Sequence, residues 1–329
     1  MTYFFLFLAF FYFPALLPAA ETGHRLKIHL FCEANGKGLE KDRNILREEL
    51  LKLNCQVTCF DSSTKGSLPF ADINIFVQAI HLDYLNSALH NWFIPNPEWF
   101  LEKIEMLNSI DLVLCKTKET EKIFKNLRAP TYFLGFTSKD QYRKEIKRNP
   151  SHYFHLAGSN SQKGTGAIQK VWLRSAHLPF LTAICRNRSP RKSRNFLNIN
   201  AYLSENELLQ LQNECMVHLC PSETEGFGHY IMEAMSVGAV VMTTNAPPMN
   251  EFVQDPRFLL SYNETKIQRL ATNYYVDELG LERKLWQLQR LTKADLEAAG
   301  AVNRAKYLQL TKEFKENLRV LIESVPDLN

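Results

Sequence analysis

At 329 residues the chain is longer than one small domain and has room for two. Its composition, 45% hydrophobic and 22% charged, is close to the globular average, which argues against a disordered chain or one with many membrane spans. The net charge of +4 is small and no basic stripe with interleaved aromatic residues is present, which argues against nucleic acid as the main partner.

The N-terminal segment, residues 1–20, is predicted to lie outside the fold. Residues 3–20 are almost continuously apolar and end in Ala19 and Ala20, as in a signal peptide. No Lys or Arg precedes this stretch, Pro14 and Pro18 interrupt it, and it is near the length of a membrane span. A signal peptide, a membrane anchor and a misassigned start all remain open, and so does the choice between a cytoplasmic and a membrane-associated location.

The seven cysteines are read mostly as small buried hydrophobic residues. Their number is odd, and no CxxC pair or histidine at zinc-like spacing accompanies them, so no metal site is expected. Cys55 and Cys59 could form a disulfide if the chain were exported, but their position around a predicted strand favours free thiols.

Residues 24–137 alternate short apolar runs with amphipathic stretches and predict a first α/β domain. RLKIHLFCE, a glycine-containing loop, the helical RNILREELLKLN and QVTCFD form a βαβ opening. Further strand-like runs follow at INIFVQAI, NWFIP, DLVLC and TYFLGF, with a helix over residues 118–127. This rhythm is typical of a parallel sheet covered by helices.

A second domain is predicted for residues 151–290, after a polar segment at 138–150 that reads as a linker or surface helix. The runs HYFHLAG, FLTAIC, MVHLCP and AVVMTT alternate with helices at 165–174, 205–215 and 229–237, as in another open α/β sheet. Residues 291–329 mix apolar and charged residues as amphipathic helices do, and we expect them to pack across the domain surfaces.

The most informative segment is PSETEGFGHYIMEAMSVGAVVMTTNAPPMNE, at a predicted strand-to-helix turn. Gly226, Phe227 and Gly228 follow Glu225, and glycines there let backbone N–H groups and a helix N-terminus approach an anionic diphosphate. Glu233 lies in the second turn of the helix, where a carboxylate can accept hydrogen bonds from ribose hydroxyls. His229, the first residue after the glycines, either faces the donor or caps the helix.

This segment resembles the donor-binding motif of retaining GT-B glycosyltransferases, in particular the large family 4, also described as glycosyl transferases group 1. The resemblance implies that Glu225 lies beside the transferred sugar, that Glu233 binds the ribose and that Glu251 also faces the donor. It also implies the GT-B architecture, two Rossmann-like domains facing a central cleft, with C-terminal helices. Pro247 and Pro248 stand where the family usually has two glycines.

HLAGSNSQKGTGAIQ resembles the first strand and helix start of the family's donor domain. Lys163 and Gly164 match its lysine-glycine pair, which implies that Lys163 stabilises the charge on the departing diphosphate. The family's arginine after the strand glycine is absent here. Arg186 directly follows a strand predicted to end at the cleft and is therefore a donor-binding candidate, whereas the rest of the basic run up to Arg194 reads as a solvated loop.

In the first domain, Gly36 and Gly38 occupy the first strand-to-helix turn, where GT-B enzymes place a glycine loop facing the cleft. NWFIPNPEWF is predicted to end a strand at the cleft, so Asn96 and Glu98 are candidates for contact with the acceptor. Many family members have a histidine near this point, and none matches here.

Together these residues and the resemblance predict a glycosyltransferase in which residues 151–290 bind a nucleotide-sugar donor and residues 24–137 bind the acceptor. The resemblance implies that the transfer retains the anomeric configuration and needs no metal. Glu225 and Lys163 are the predicted catalytic residues, and no cofactor is expected besides the donor itself. The acceptor is a glycan, a lipid or another hydroxyl compound, and a membrane surface is a further possible partner. The alternative is a catalytically inactive GT-B protein that binds a nucleotide sugar or a glycan.

Overall fold

The computed structural model describes residues 25–325, and the prediction for residues 1–20 therefore lies outside the described residues. Two predominantly parallel sheets, each covered by helices, face each other across a cleft. This is the α/β fold class predicted from the sequence.

The first sheet has six parallel strands in the order β2-β1-β3-β4-β5-β6. The strands are β1 (Lys27–Phe31), β2 (Gln56–Phe60), β3 (Ala71–Val77), β4 (Ala88–Ile94), β5 (Leu112–Cys115) and β6 (Thr131–Phe133). The helices are α1 (Gly38–Lys52) and α2 (Lys118–Asn126), with short 3-10 helices at Leu82–Ser87, Pro97–Trp99 and Ile104–Ser109. Thr117 caps α2 by accepting a hydrogen bond from the Thr120 N–H.

The second sheet has seven strands in the order β13-β12-β11-β7-β8-β10-β9. The strands are β7 (Asn149–Gly158), β8 (Phe180–Cys185), β9 (Arg191–Lys192), β10 (Phe196–Ile199), β11 (Cys215–Cys220), β12 (Val240–Thr244) and β13 (Leu259–Leu260), and β9 alone pairs antiparallel. The helices are α3 (Thr165–Arg174), α4 (Glu205–Glu214), α5 (His229–Ser236) and α6 (Met249–Phe252), with a 3-10 helix at Pro256–Phe258. All residues of β11 and β12 are buried, as expected of central parallel strands covered on both faces.

A hairpin of β14 (Tyr262–Gln268) and β15 (Ala271–Val276) follows, and then come α7 (Glu278–Leu288) and α8 (Lys293–Glu323). α8 joins the two sheets because its first half packs on α5 and β12, while Asn317 in its last turns donates to the carbonyls of Phe133 and Leu134 beside the first sheet. The predicted packing of the C-terminal segment across both halves is present, but one helix of 31 residues forms it, not several.

Two sequence interpretations are revised. Residues 138–148, predicted as a linker or a surface helix, form a linker without a helix, in which the Arg143 N–H donates to Asn213 and Asn213 donates to the carbonyl of Gln141. The run at 186–194 is not all loop, since it contributes the edge strand β9. The hairpin β14–β15 was not predicted. All seven cysteines are free, as favoured, and six of them are buried.

Candidate active site

The predicted site residues gather at the carboxyl ends of the parallel strands. In the first sheet the strand order reverses between β1 and β3, and in the second between β7 and β11. Ligands of open α/β sheets bind outside such reversal points. The loops after β1, β7 and β11 carry the Gly36–Gly38 turn, Lys163 and the Glu225–Gly228 turn, so both reversal points open onto one interdomain cleft.

Lys163 and Glu225 form a largely buried ion pair in which Lys163 Nζ donates to Glu225 Oε1. Ser222 Oγ donates to the same carboxylate oxygen, and Lys163 Nζ lies 4.2 Å from the centre of the Tyr230 ring. Only 13% of the lysine side chain and 9% of the glutamate side chain is exposed. The sequence predicted both residues, and the structure brings them into direct contact.

Two helix N-termini flank this pair. α3 begins after Gly164 and α5 after Gly228, and both glycines adopt the left-handed conformation with φ of 64° and 102°. Neither helix has a side-chain cap, so backbone N–H groups at both ends are available to an anion. Gly164 also needs to lack a side chain, because a Cβ there would overlap the backbone carbonyl of Pro221.

Glu233 is buried on α5 and makes contact across the cleft. Lys41 on the first turn of α1 donates to Glu233 Oε1, and Gln212 Nε2 donates to Oε2 at 3.2 Å. The glutamate is 1% exposed, whereas 47% of the Lys41 side chain is exposed. The carboxylate predicted to bind ribose therefore has an ammonium partner from the first half of the chain.

Glu251 also reaches the first half of the chain, where it caps the N-terminus of α2. Its two oxygens accept hydrogen bonds from the N–H groups of Lys118 and Glu119, each at 2.8 Å. Burial raises the pKa of Glu251, and these two hydrogen bonds oppose that rise. The neighbouring Pro247–Pro248 peptide bond is cis. Sequence reasoning predicted a donor contact for Glu251 and did not foresee this interdomain contact.

Asp42 and Lys116, which sequence reasoning missed, form a buried polar cluster in the cleft with the predicted residues Asn96 and His229. Lys116 Nζ donates to Asp42 Oδ2 and to Asn96 Oδ1, both at 2.8 Å, and His229 Nε2 lies 2.8 Å from Asp42 Oδ1. His229 Nδ1 is 2.8 Å from Ser138 Oγ, so its ring bridges the two halves of the chain. Burial alone would raise the pKa of Asp42, but Lys116 and His229 outweigh it and hold that pKa below its usual value.

The predicted acceptor residues Asn96 and Glu98 lie on the loop after β4, opposite the Glu225 turn. A Cβ on Gly226 would overlap the Asn96 side chain, which shows how closely the two loops approach. Glu98 is 6% exposed, and its Oε2 atom has no hydrogen-bond partner among the described residues. Burial, together with the negative charge of Glu225, raises the pKa of Glu98 to about 7.

The hairpin β14–β15 links the loop after β4, which carries Glu98, to the Lys163 loop through Gln268. Gln268 Nε2 donates to the Glu98 carbonyl at 2.9 Å, and Gln162 Nε2 donates to Gln268 Oε1 at 2.6 Å. The Leu270 N–H also donates to the Pro97 carbonyl at 3.2 Å. No pattern in the sequence indicated these contacts, because a hairpin's tertiary partners do not follow from its own residues.

The remaining predicted donor residues surround this centre. Arg186 packs beside Gly158 and stacks on Tyr202, with its guanidinium carbon 4.0 Å from the ring centre. Phe227 is buried and packs edge-on against Phe136, with the two ring centres 5.3 Å apart. Gly36 adopts a φ of +67°, and Gly38 begins α1.

Within residues 25–325 no group of three or more His, Cys, Asp or Glu side chains is placed to hold a metal ion. Over the same residues no helix is long and apolar enough to cross a membrane.

Residues 192–272, which contain Glu225, Glu233, Glu251 and the strand β14, match the sequence model of the family described as glycosyl transferases group 1. The matched segment spans 81 of the 329 residues and is similar to that family, and the two facing sheets have the arrangement of the GT-B fold. A search of curated protein sequences finds no significant match.

Solved GT-B structures share the fold at low sequence identity. A glycosyltransferase from Rickettsia africae ESF-5 is 10% identical, with a TM-score of 0.67 over 92% of this chain and 99% of that one. Sucrose-phosphate synthase from Thermosynechococcus elongatus is 12% identical, with a TM-score of 0.67 over 93% of this chain and 100% of that one. The pneumococcal O-GlcNAc transferase GtfA, solved with UDP and GlcNAc, is 16% identical, with a TM-score of 0.59 over 78% of this chain. The match spans only 57% of GtfA.

Proposed function

We propose that the chain is a retaining glycosyltransferase that transfers a sugar from a nucleoside-diphosphate donor to a hydroxyl acceptor without a metal ion. The observation that carries the proposal is the Lys163–Glu225 pair between the uncapped N-termini of α3 and α5. These groups supply one ammonium and two positive helix ends, the electrostatic requirements of a departing diphosphate.

On the donor side, Lys163 and the N–H groups at Gly164 and Gly228 receive the diphosphate, and Glu233 accepts hydrogen bonds from the ribose. When the ribose binds, its hydroxyls either share the Glu233 carboxylate with Lys41 or displace Lys41 from it. Glu225 then keeps its place beside Lys163 and orients the transferred sugar by accepting from its hydroxyls.

In the transfer step, the acceptor oxygen bonds to the anomeric carbon on the face from which the diphosphate leaves. The bond between that carbon and the diphosphate oxygen breaks, and the acceptor proton passes to the departing phosphate oxygen. Configuration is retained because attack and departure share one face. Lys163 and the two helix ends stabilise the negative charge that grows on the diphosphate, so this scheme needs no metal or redox cofactor.

The test is thermal unfolding of the full chain with UDP-, GDP- and ADP-sugars, repeated with Lys163→Ala and Glu233→Ala. Because a ligand that binds the folded state raises the melting temperature by mass action, one nucleotide class is expected to raise it. Both variants are expected to abolish that shift. The matched controls Lys170→Ala, on the exposed face of α3, and Glu264→Ala, on β14, are expected to keep it. No shift with any donor would overturn the proposal.

The alternative, an inactive GT-B protein that binds a nucleotide sugar or glycan, is favoured by one observation. Glu233 and Glu251 both engage the first half of the chain, and Glu251 holds the N-terminus of α2. Donor turnover separates the two functions. If the chain releases nucleoside diphosphate, and Glu225→Gln abolishes this release but keeps the thermal shift, the result supports the enzyme. A thermal shift without any release of nucleoside diphosphate supports the binding protein.

A further inference from the structure

The charged residues of the second half of the chain are unevenly distributed. Residues 146–204, which include β7, α3, β8, β9 and β10, contain ten Lys and Arg residues and no Asp or Glu. The whole chain has a net charge of only +4, so this part of the sheet carries a strong local excess of positive charge. Because β7, β8, β10 and β9 are consecutive neighbours that end at the sheet edge, the excess lies on one side of the sheet.

Carboxylates from elsewhere in the chain neutralise three of these ten cations. Lys163 pairs with Glu225, whereas Lys170 and Arg174 on α3 pair with glutamates of α7. Five others have no carboxylate partner within residues 25–325, and they are Arg186, Arg188, Arg191, Lys192 and Arg194. These five fall within nine consecutive residues, 186–194, which we call the basic segment.

Buried amides hold the backbone of the basic segment in place. Asn198 on β10 is 1% exposed, and its Nδ2 donates to the Ser189 carbonyl at 3.0 Å and lies 3.4 Å from the carbonyls of Cys185 and Arg188. Asn195, also buried, ties the start of β10 to the turn before β8. The backbone is thus ordered before any partner binds, which lowers the entropic cost of binding.

The cations of the basic segment line an open sheet edge and do not converge on one point. Residues 187–192 and Arg194 are exposed. β9 runs antiparallel to β10, with Arg191 opposite Asn198 near the end of β10 that faces the cleft. Arg194 therefore lies towards the opposite end of the strand, about 10 Å further along. A single phosphate or diphosphate is too small to meet all of these charges at once.

We propose that the basic segment and the neighbouring Tyr202 form a docking surface for an anionic phospholipid membrane. A membrane presents many negative headgroups in one plane, and clusters of four to eight Lys and Arg residues bind such surfaces. Tyr202 is 79% exposed, and the guanidinium carbon of Arg186 lies 4.0 Å from its ring centre. An exposed aromatic ring beside cations suits the boundary between headgroups and water. The inference is independent of the proposed catalytic function.

The test measures binding of the full chain to vesicles by co-sedimentation. Vesicles of phosphatidylcholine alone are compared with vesicles of equal parts phosphatidylcholine and phosphatidylglycerol. Any attachment through the apolar residues 3–20 is common to both, so the difference between the vesicles isolates the contribution of charge. The wild type is expected to bind the anionic vesicles at least about ten-fold more tightly. This preference should disappear in 1 M salt, where the Debye length is about 3 Å.

A triple variant locates the effect on the basic segment. Arg191→Gln, Lys192→Gln and Arg194→Gln, combined in one chain, remove three exposed cations that lie outside the candidate active site. Since each cation near an anionic surface contributes about five-fold in affinity, binding to the anionic vesicles should fall on the order of a hundred-fold. Arg191→Lys with Arg194→Lys keeps the charge and is expected to bind as the wild type does.

The matched control removes the same number of exposed cations from the first half of the chain. It combines Lys122→Gln, Lys125→Gln and Arg128→Gln, at and just after α2. The net charge falls as much as in the triple variant, but the preference for anionic vesicles should persist. Equal melting temperatures of the wild type and both variants show that the substitutions leave the fold intact.

Three results would overturn the inference. The first is equal binding of the wild type to neutral and anionic vesicles, and the second is an equal loss in the triple variant and its control. The third is a triple variant that keeps the full preference, which would leave the cations only the role of keeping the edge strand β9 from pairing with another chain. A thermal shift with inorganic diphosphate or duplex DNA that the triple variant loses, without a difference between the vesicles, would assign the segment to that ligand instead.

The outcome for the membrane surface is separate from the outcome for catalysis. The donor-induced thermal shift depends on Lys163, and the triple variant leaves Lys163 unchanged. Loss of vesicle binding with an intact donor shift would leave the proposed function standing, and vesicle binding without a donor shift would leave the docking surface standing.

Discussion

Lys41 on α1 donates a hydrogen bond to Glu233 on α5, so an ammonium from one half of the chain neutralises the predicted ribose carboxylate of the other. Lys41→Met should strengthen binding of the stabilising nucleotide sugar, because the ribose no longer competes with an ammonium. A partly exposed pair of this kind is worth at most about 1 kcal/mol, which corresponds to roughly five-fold in Kd. Isothermal titration calorimetry checks this value, with the exposed Lys52→Met, in the last turn of α1, as the control. Weaker binding by Lys41→Met would indicate that Lys41 contacts the donor itself.

Lys116→Met should lower the free energy of unfolding by about 3 kcal/mol, because it leaves the buried carboxylate of Asp42 without its ammonium partner. Urea denaturation measures the loss, and Lys103→Met on the surface is the control. Asp42→Asn combined with Lys116→Met should recover part of the loss, since no buried charge remains.

The stability lost in Lys116→Met should depend on pH in one direction. The pKa of Asp42 in the folded state is below its usual 3.8, so the stabilisation by Lys116 is complete above that pH. This stabilisation is lost as the pH falls through the pKa of Asp42 in the folded state. The difference in the free energy of unfolding between the wild type and Lys116→Met should therefore become smaller in acid. A difference that does not change with pH would contradict the assigned charge pairing.

Glu98 should make the protein less stable as the pH rises from 4.5 to about 7. Over this range the folded state keeps a proton on Glu98 that the unfolded chain has released, so the free energy of unfolding falls by about 3 kcal/mol and then levels off. Glu98→Gln should remove this slope in chemical denaturation, whereas the exposed Glu105→Gln should keep it. An unchanged slope in Glu98→Gln would show that another group titrates.

Gly226→Ala should weaken the contact between the two halves, because the new methyl group overlaps the side chain of Asn96 and displaces the partner of Lys116. A melting temperature lower by several degrees is expected, in line with about 1–3 kcal/mol for overpacking. Gly38→Ala is the control, since the nearest atom to its Cβ is His229 Cδ2 at 4.0 Å. Equal melting temperatures for Gly226→Ala and the wild type would show that the Asn96 loop accommodates the methyl group without loss of stability.

Gln268→Ala should destabilise the protein by about 1–3 kcal/mol, because the Glu98 carbonyl and the Gln162 amide lose their partner. Faster amide exchange at the Pro97–Trp99 turn should accompany this loss, since the turn loses its link to the hairpin. Ile267→Ala, at a side chain that is 79% exposed on the same hairpin, should have neither effect.

The fold class could be predicted from the sequence because its determinants are local and periodic. Buried parallel strands such as β11 and β12 are continuous apolar runs, and the helices between them carry amphipathic patterns. The hairpin was missed because all the residues of β14 except Gln268 are exposed, so it lacks the alternating pattern that marks a half-buried strand. The roles of Lys163, Glu225 and Glu233 remain predictions.

By itself the sequence determined the α/β alternation and the glycine turns, since each depends on neighbours a few residues away. It also indicated which side chains stand at the strand ends. Only the tertiary structure decided that Lys41 meets Glu233, that Glu251 caps α2 and that Asp42, Lys116 and His229 form one buried cluster. Such pairs join residues more than 70 positions apart, and their geometry depends on how the two sheets pack across the cleft.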